Sequence, residues 1–192
     1  MSVQRFTACL LAGGKSSRMG CDKAGVEVGG VPLWRRQVEI LRQTGAYEIL
    51  ISGRDDACYA GGGFSIIGDE IKGCGPLSGV HAVLGVAAHP MVLVLAVDMP
   101  AMTGGYLRGL VARAFEEGYG VVPVREGFYE GLAAVYPRAS REIAAGLLQG
   151  DDYSMQGYVA ECVGRGLVMP VEINEDEMRL FQNMNTAGMH IS

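Results

Sequence analysis

The sequence has no long apolar run and few cysteines, and both shortages narrow the class of protein. No uninterrupted apolar stretch approaches the roughly 20 residues that a membrane-spanning helix needs, and the opening residues MSVQRF lack the layout of a secretion signal. The five cysteines form no CxxC pair, and their odd number argues against a complete disulfide framework. We therefore expect a cytoplasmic protein with thiols instead of disulfides and no association with membranes.

Basic residues are too few and too dispersed for a nucleic-acid-binding surface. The chain has 16 Lys and Arg against 21 Asp and Glu, a formal net charge of -5, and its positive charges are spread along the sequence. The three histidines form no HExxH motif, and no GxSxG motif is present. We expect neither a nucleic-acid partner nor zinc-protease or acyl-hydrolase chemistry.

Short apolar runs alternate with stretches of helical periodicity. The predicted strands are residues 6–11, 48–52, 64–67, 91–97, 118–124, 131–136 and 167–173. The predicted helices are residues 32–45, 77–89, 104–118 and 141–149. This alternation predicts an α/β fold with a doubly wound, mostly parallel sheet, whose ligands lie beyond the carboxyl ends of the strands. No linker interrupts the 192 residues, so we expect a single domain over 1–192.

A glycine-rich, basic loop follows the first predicted strand. The segment LAGGKSSRMGCDK, residues 11–23, contains three glycines together with Arg18 and Lys23. Glycines let backbone N–H groups turn towards phosphate oxygens, and the two basic side chains add positive charge. Neither a Walker A motif nor GxGxxG is present, which weakens P-loop kinase and dinucleotide-binding interpretations. From the pattern alone, the segment is either an anion-binding loop or a glycine-rich surface turn.

The pattern LAGGxSxRMGxDKA resembles the signature of the molybdenum cofactor guanylyltransferases, which belong to a broader group of nucleotidyltransferases. The resemblance extends to GGVPLWRRQVEIL, LISGRDD, IIGDEIKGCGPLSGV, LAVDMP and FQNMNT, and so spans most of the chain. The sequence departs from the family at Val97, where Cys is usual, and at Gly131 and Ala187, where Pro is usual. The segment around Gly131 is expected to face the acceptor, so this departure bears on acceptor identity.

The resemblance implies a Rossmann-like, three-layer nucleotidyltransferase fold and an enzyme that transfers GMP from GTP to molybdopterin. It implies Lys23, Arg18 and Asp98 as catalytic residues and Asp98 as the ligand of Mg²⁺. The nucleotide-binding positions that it implies are Leu11, Ala12, Gly13, Gly14, Lys23, Ser52, Asp69 and Asp98. It also suggests transient contact with proteins that mature molybdoenzymes.

The residues themselves give partial support to these roles. Asp98 follows the most apolar strand, where ligands gather in such sheets, and one carboxylate suffices for Mg²⁺ when phosphates and water complete its coordination. The same aspartate would also cap the turn at Met99 and Pro100. Asp69 ends a predicted strand before a glycine-rich loop, and without the resemblance it is a turn residue.

Two asparagines near the C-terminus are candidate acceptor ligands. Asn183 and Asn185 alternate at strand-like spacing, which would direct both amides to one face, and in the resembling family this stretch helps to bind the pterin. The alternative is that Asn185 and Thr186 form a helix N-cap. Two other functions stay open: a nucleotidyltransferase that acts on a sugar or polyol phosphate or uses CTP, and a non-catalytic nucleotide-binding protein.

Overall fold

The computed structural model describes residues 4–13, 23–71, 73–150 and 152–184, which contain ten β-strands and five α-helices. The strands are β1 (Thr7–Leu11), β2 (Glu27–Val28), β3 (Val31–Pro32), β4 (Glu48–Ser52), β5 (Ser65–Ile67), β6 (Met91–Ala96), β7 (Gly120–Arg125), β8 (Phe128–Tyr129), β9 (Ala133–Pro137) and β10 (Val168–Glu172). The helices are α1 (Leu33–Arg42), α2 (Pro76–Val86), α3 (Gly104–Glu117), α4 (Arg141–Gln149) and α5 (Met155–Gly164).

Eight of these strands form one sheet in the order β10-β7-β9-β6-β1-β4-β5, with β8 paired to β7. Strands β5, β4, β1 and β6 are mutually parallel, and β7 pairs in parallel with β10. Strand β9 is antiparallel to both β6 and β7. The chain moves from β1 to β4 and β5 on one side and then returns to β6 on the other, so the strand order reverses between β1 and β6.

Two apolar clusters cover the faces of the sheet, because alternate residues of each strand point to opposite sides. On β1, Ala8 and Leu10 belong to one cluster, and Cys9 and Leu11 belong to the other. Helices α1 and α3 pack on the first face, and helices α2, α4 and α5 pack on the second. The arrangement is a three-layer α/β sandwich, as the resemblance implied.

The predicted elements are confirmed, with ends that differ by at most three residues from those of the structure. Three features were not predicted: helix α5, the hairpin of β2 and β3, and the short strand β8. Helix α5 begins after Ser154, whose side chain accepts a hydrogen bond from the Gly157 N–H at 3.0 Å and so caps its N-terminus. In the described ranges, none of the helices has the length and apolar character needed to cross a bilayer.

We predict that Gly120→Ala lowers the free energy of unfolding. A Cβ atom at this position would lie 2.6 Å from the Val135 carbonyl oxygen and 2.9 Å from Pro137 Cδ, and the paired strands leave little room to move. Overpacking of this kind costs about 1–3 kcal/mol. Urea denaturation of the variant and the wild type measures the difference.

Gly109→Ala is the matched control, because a Cβ on this exposed residue of α3 would meet no atom within 4 Å. Better helix propensity should stabilise this variant by up to about 1 kcal/mol. Equal stability of Gly120→Ala and the wild type would contradict the packing described for β7.

Candidate functional site

A cavity of about 910 Å³ opens at the carboxyl ends of the parallel strands, beside the point where strand order reverses. Ligands bind at this position in open α/β sheets. The residues that line the cavity include Leu11, Ala12, Gly13, Lys23, Ser52, Gly53, Arg54, Asp55, Tyr59, Gly68, Asp69, Gly75, Pro76, Gly79, Val97, Asp98 and Leu132. All the sequence-predicted nucleotide-binding residues in the described ranges therefore line one cavity.

The backbone after β1 is fastened to the end of β4. The N–H groups of Ala12 and Gly13 both donate to the Ser52 carbonyl oxygen, at 2.9 and 3.0 Å. These two N–H groups are therefore not available to a phosphate in this structure. The backbone at Ala12 and Gly13 does not form the expected phosphate-binding loop. Gly14 and Arg18, which were predicted to act beside them, lie outside the described residues.

The side chains of Lys23 and Asp98 form an ion pair in the lining of the cavity, although the two residues are 75 positions apart in the sequence. Lys23 Nζ lies 3.3 Å from Asp98 Oδ2, and the two side chains are only 22% and 19% exposed. Lys23 begins a short 3-10 helix whose next residue, Ala24, is fully buried in the core. Asp98 follows β6 by two residues. The sequence prediction that these two residues act at one site agrees with this geometry.

Helix α1 holds the backbone on both sides of this ion pair. The Leu33 N–H donates to the Val26 carbonyl oxygen at 2.8 Å, and the Val26 N–H donates to the Lys23 carbonyl oxygen at 3.2 Å. Gln37, which is fully buried, donates through Nε2 to the Met99 carbonyl oxygen at 2.7 Å. The sequence analysis did not identify Gln37, although it is a polar residue on an otherwise apolar helix face.

The wall of the cavity around Ser52 needs glycine at two positions. A Cβ on Gly53 would overlap the hydroxyl of the buried Tyr59, which accepts a hydrogen bond from the Arg54 N–H at 2.8 Å. A Cβ on Gly79 of α2 would lie 2.5 Å from Ser52 Oγ. The Ser52 side chain is therefore buried against α2, and its carbonyl group anchors the β1 loop.

The loop after β5 continues this wall, because the Gly53 N–H donates to the Ile67 carbonyl oxygen at 3.0 Å. Asp69 lies in this loop and lines the cavity, as does the first turn of α2. The N–H groups at a helix N-terminus favour polar or anionic ligand atoms. Glu70 fastens the loop to the helices behind it, because its carboxylate oxygens lie 3.3 and 3.4 Å from an Arg141 guanidinium nitrogen. One oxygen is also 3.4 Å from His81 Nδ1.

The charges at the cavity are mixed. Among the described lining residues, Lys23 and Arg54 are positive, and Asp55, Asp69 and Asp98 are negative. The described residues contain no group of three or more His, Cys, Asp or Glu that would hold a metal ion by themselves. The donor set fits a Mg²⁺ ion that takes one or two carboxylate oxygens, with Asp98 as the first, and completes its shell with phosphate and water.

The C-terminal segment approaches the site next to Asp98. The Met184 N–H donates to the Asp98 carbonyl oxygen at 3.0 Å, so the backbone that follows Asn183 contacts the backbone of the predicted metal ligand. The structure assigns no strand at this residue, and whether Asn183 and Asn185 face the same side stays a prediction. Reciprocal hydrogen bonds between Asn174 and Glu177 start a 3-10 helix over Met178–Phe181, and Asn183 follows it in irregular backbone. Asn185 lies outside the described residues.

Gly131 packs behind the cavity and does not line it. A Cβ at this position would lie 3.0 Å from Val159 Cγ2 and 3.1 Å from the Tyr136 hydroxyl, which donates to the Gly131 carbonyl oxygen at 2.7 Å. The neighbouring Leu132 is the residue of this segment that lines the cavity. Glycine at position 131 therefore accommodates helix α5, and this residue itself does not face a ligand.

Comparison with known proteins relates the chain to one family. Residues 8–161 match the model of the MobA-like NTP transferase domain. A probable molybdenum cofactor guanylyltransferase of Opitutus terrae is 37% identical over 187 residues, which is 96% of this chain and 92% of the relative. A probable molybdenum cofactor guanylyltransferase of Pelotomaculum thermopropionicum is 32% identical over 188 residues, which is 97% of this chain and 87% of the relative.

Solved structures share the fold at lower identity. Molybdopterin-guanine dinucleotide biosynthesis protein A from Archaeoglobus fulgidus superposes with a TM-score of 0.76 at 22% identity, over 94% of this chain and 92% of the other. The 2-C-methyl-D-erythritol 4-phosphate cytidylyltransferase of Thermus thermophilus gives a TM-score of 0.64 at 22% identity, over 90% and 91% of the two chains. The α/β fold with a mostly parallel sheet is thus confirmed.

We predict that His81 makes the protein less stable as the pH falls. Burial lowers the pKa of His81 below its usual value of 6.5, and the nearby Arg141 lowers it further, while Glu70 opposes the shift. The unfolded chain therefore takes up this proton first, and the free energy of unfolding decreases as the pH falls through the unfolded pKa. Urea denaturation at pH 7.5 and 5.5 should show a smaller pH effect in His81→Gln than in the wild type. Equal pH effects in the two proteins would contradict this assignment.

Proposed function

The chain belongs to the MobA-like NTP transferase family, and from this premise we propose that it transfers GMP from GTP to molybdopterin, releasing pyrophosphate and forming a guanine dinucleotide cofactor. The observation that carries the proposal is the meeting of Lys23 and Asp98 at the strand-order reversal, within a chain that has the LAGGxSxRMGxDKA pattern. Both substrates of the reaction are phosphorylated small molecules, which favours a cytoplasmic location.

The size of the cavity suits a nucleoside triphosphate. A cavity of about 910 Å³ lies within the range typical of small-molecule sites. The described lining residues include two positive and three negative side chains. They do not supply enough positive charge to neutralise a triphosphate. A bound Mg²⁺ ion and the basic residues Lys15 and Arg18 of the glycine-rich loop would supply it.

In the proposed assignment, Asp98 holds Mg²⁺, and the ion neutralises phosphate charge when it is bound. Lys23 binds phosphate oxygens from the side opposite the loop after β5. Asp69 and the first turn of α2 contact the nucleoside part, and Ser52 orders the loop of residues 11–13 through its carbonyl group. Asn183 is assigned to the acceptor, because the neighbouring Met184 N–H is hydrogen-bonded to the Asp98 carbonyl oxygen.

The chemical step is an in-line substitution at phosphorus. An oxygen of the acceptor's terminal phosphate forms a bond to the α-phosphorus of GTP, and the bond from that phosphorus to the oxygen bridging to the β-phosphate breaks. Pyrophosphate leaves with the bonding electron pair. Both reactants are anions, so the residues accelerate the reaction by aligning them and by offsetting their charge, and no covalent intermediate on the protein is needed.

The relatives support GTP and molybdopterin over the alternatives. Two relatives that are 37% and 32% identical over nearly the whole chain are each named a probable molybdenum cofactor guanylyltransferase. The cytidylyltransferase is only 22% identical, and at that level it shares the fold alone. Transfer from CTP, transfer to a sugar or polyol phosphate, and nucleotide binding without transfer are the outcomes against which the proposal is tested.

Incubation with GTP, Mg²⁺ and molybdopterin should give molybdopterin guanine dinucleotide and pyrophosphate in equal amounts. Mass spectrometry detects the dinucleotide, and a coupled colorimetric assay measures pyrophosphate. Parallel reactions with CTP, UTP and ATP, and with a sugar phosphate as acceptor, should give much slower turnover. Faster turnover with CTP or with the sugar phosphate would reject the proposed substrates, and GTP binding without any product would favour a non-catalytic protein.

Lys23→Ala and Asp98→Ala should each reduce kcat about a hundredfold or more, because each removes one charge contact to the reacting phosphates, worth about 3 kcal/mol in comparable sites. Partly exposed ion pairs contribute about 1 kcal/mol or less to stability, so both variants should fold. Circular dichroism and pyrophosphate release measure the two effects.

Arg165→Ala is the control. It breaks the 2.7 Å ion pair between Arg165, just after α5, and Glu161 of α5, and neither residue lines the cavity. Its turnover should equal that of the wild type. Activity within threefold of the wild type in either Lys23→Ala or Asp98→Ala would contradict the roles proposed for these residues.

A further inference from the structure

One buried polar residue interrupts the apolar face of helix α1. The buried residues of this helix are Leu33, Trp34, Gln37, Val38 and Leu41, which repeat at helical spacing. Gln37 is fully buried, and burial of a side-chain amide is unfavourable unless its polar atoms are hydrogen-bonded. The contacts of Gln37 therefore have to account for its presence in the core.

The Gln37 amide nitrogen donates to the backbone on both sides of Asp98. Nε2 lies 2.7 Å from the Met99 carbonyl oxygen and 3.5 Å from the Val97 carbonyl oxygen. The Asp98 carbonyl oxygen accepts from the Met184 N–H at 3.0 Å. The carbonyl groups of the three residues 97–99, in the turn after β6, thus accept hydrogen bonds from α1 and from the C-terminal segment, while the Asp98 side chain is directed to the cavity and to Lys23.

The amide oxygen of Gln37 differs from the nitrogen in this respect. In the described part of the chain, the buried Gln37 Oε1 has no hydrogen-bond partner. An unsatisfied buried acceptor destabilises the folded protein, a cost that an apolar side chain of similar volume would avoid. Core packing alone does not account for glutamine at this position, whereas its contacts with the Asp98 backbone do.

We propose that Gln37 is a positioning residue, which holds the backbone of residues 97–99 so that the Asp98 carboxylate stays in place to bind the metal–nucleotide complex. Gln37 acts through Asp98 and touches no substrate. The metal part of this inference rests on the proposed function. Loss of a group that orients a metal ligand typically weakens metal binding 10- to 100-fold, and we expect about a tenfold effect because Met184 still holds the Asp98 carbonyl group.

Gln37→Met removes both donors and keeps the side-chain length. The matched control is Thr44→Val at the other end of the same helix region, where the buried Thr44 hydroxyl donates to the Leu41 carbonyl oxygen at 2.6 Å. Both variants lose a buried side-chain donor to a backbone carbonyl group, but only one lies next to Asp98.

Binding of Mn²⁺ in the presence of GTP and without acceptor, followed by electron paramagnetic resonance, is the first readout. We expect about tenfold weaker Mn²⁺ binding in Gln37→Met and wild-type binding in Thr44→Val. The inference is wrong if Gln37→Met folds and binds Mn²⁺ as the wild type does, or if Thr44→Val weakens binding equally. Gln37→Asn, one methylene shorter, replaces Gln37→Met if that variant does not fold, and failure of both to fold would mean that Gln37 serves stability alone.

Amide hydrogen exchange in the metal-free protein is the second readout, and it does not depend on the reaction. Loss of the Gln37 contacts should speed exchange at the Met102 N–H, which donates to the Met99 carbonyl oxygen at 3.2 Å, and at the Met184 N–H, while Thr44→Val leaves both unchanged. If the wild type binds no Mn²⁺ with GTP, the proposed function fails, and exchange still decides the role of Gln37. Unchanged exchange at both amides in Gln37→Met would overturn it.

Discussion

The site depends on the parallel pairing of β1 with β6, because this pairing brings two distant segments of the chain to one crevice. Leu11 and Ala96 are register partners at the ends of these strands, and the chain leaves them in opposite directions. The glycine-rich loop follows β1, and Asp98 follows β6. Helix α1 is hydrogen-bonded to both segments that carry these residues, the turn that begins at Lys23 and the backbone at Met99. The 3.3 Å approach of Lys23 to Asp98 is the result.

The main electrostatic requirement at such a site is to offset the repulsion between two anionic reactants. A nucleoside triphosphate and a phosphorylated acceptor repel each other, and transfer requires that their reacting atoms approach in line. Fixed cations offset the repulsion, and groups that are already in place do not have to reorganise during the reaction. The hydrogen bonds to the backbone at Asp98 and Met99 come from α1 and from the C-terminal segment, so two separate elements hold the backbone that carries the carboxylate. Rigid support of this kind keeps a metal ligand within the narrow range of useful positions.

Much of this arrangement was predictable from short-range patterns, and the rest depended on contacts between distant residues. The apolar runs of β1 and β6 predicted buried parallel strands, and Asp98 was located from its place after β6. Helix α5 was missed because two glycines interrupt its pattern. The antiparallel strand β9 follows β7 after only seven residues, too few for a helical crossover.

The errors at the site have a similar origin. The amides of Ala12 and Gly13 were expected to face phosphate, but the hydrogen bonding of β1 to β4 continues past the strand ends and both amides bond to Ser52. Gln37 was visible as a polar residue on an apolar helix face, yet its partner Met99 lies 62 residues away along the chain. Neither fact can be read from a window of neighbouring residues.

A crystal structure of the protein with GTP and Mg²⁺ tests the central claim most directly. The account predicts triphosphate density in the crevice between the ends of β1 and β6, a magnesium ion about 2.1 Å from an Asp98 carboxylate oxygen, and Lys23 Nζ within hydrogen-bonding distance of a phosphate oxygen. Nucleotide density elsewhere on the molecule, with Lys23 directed into solvent and no ion at Asp98, would contradict it.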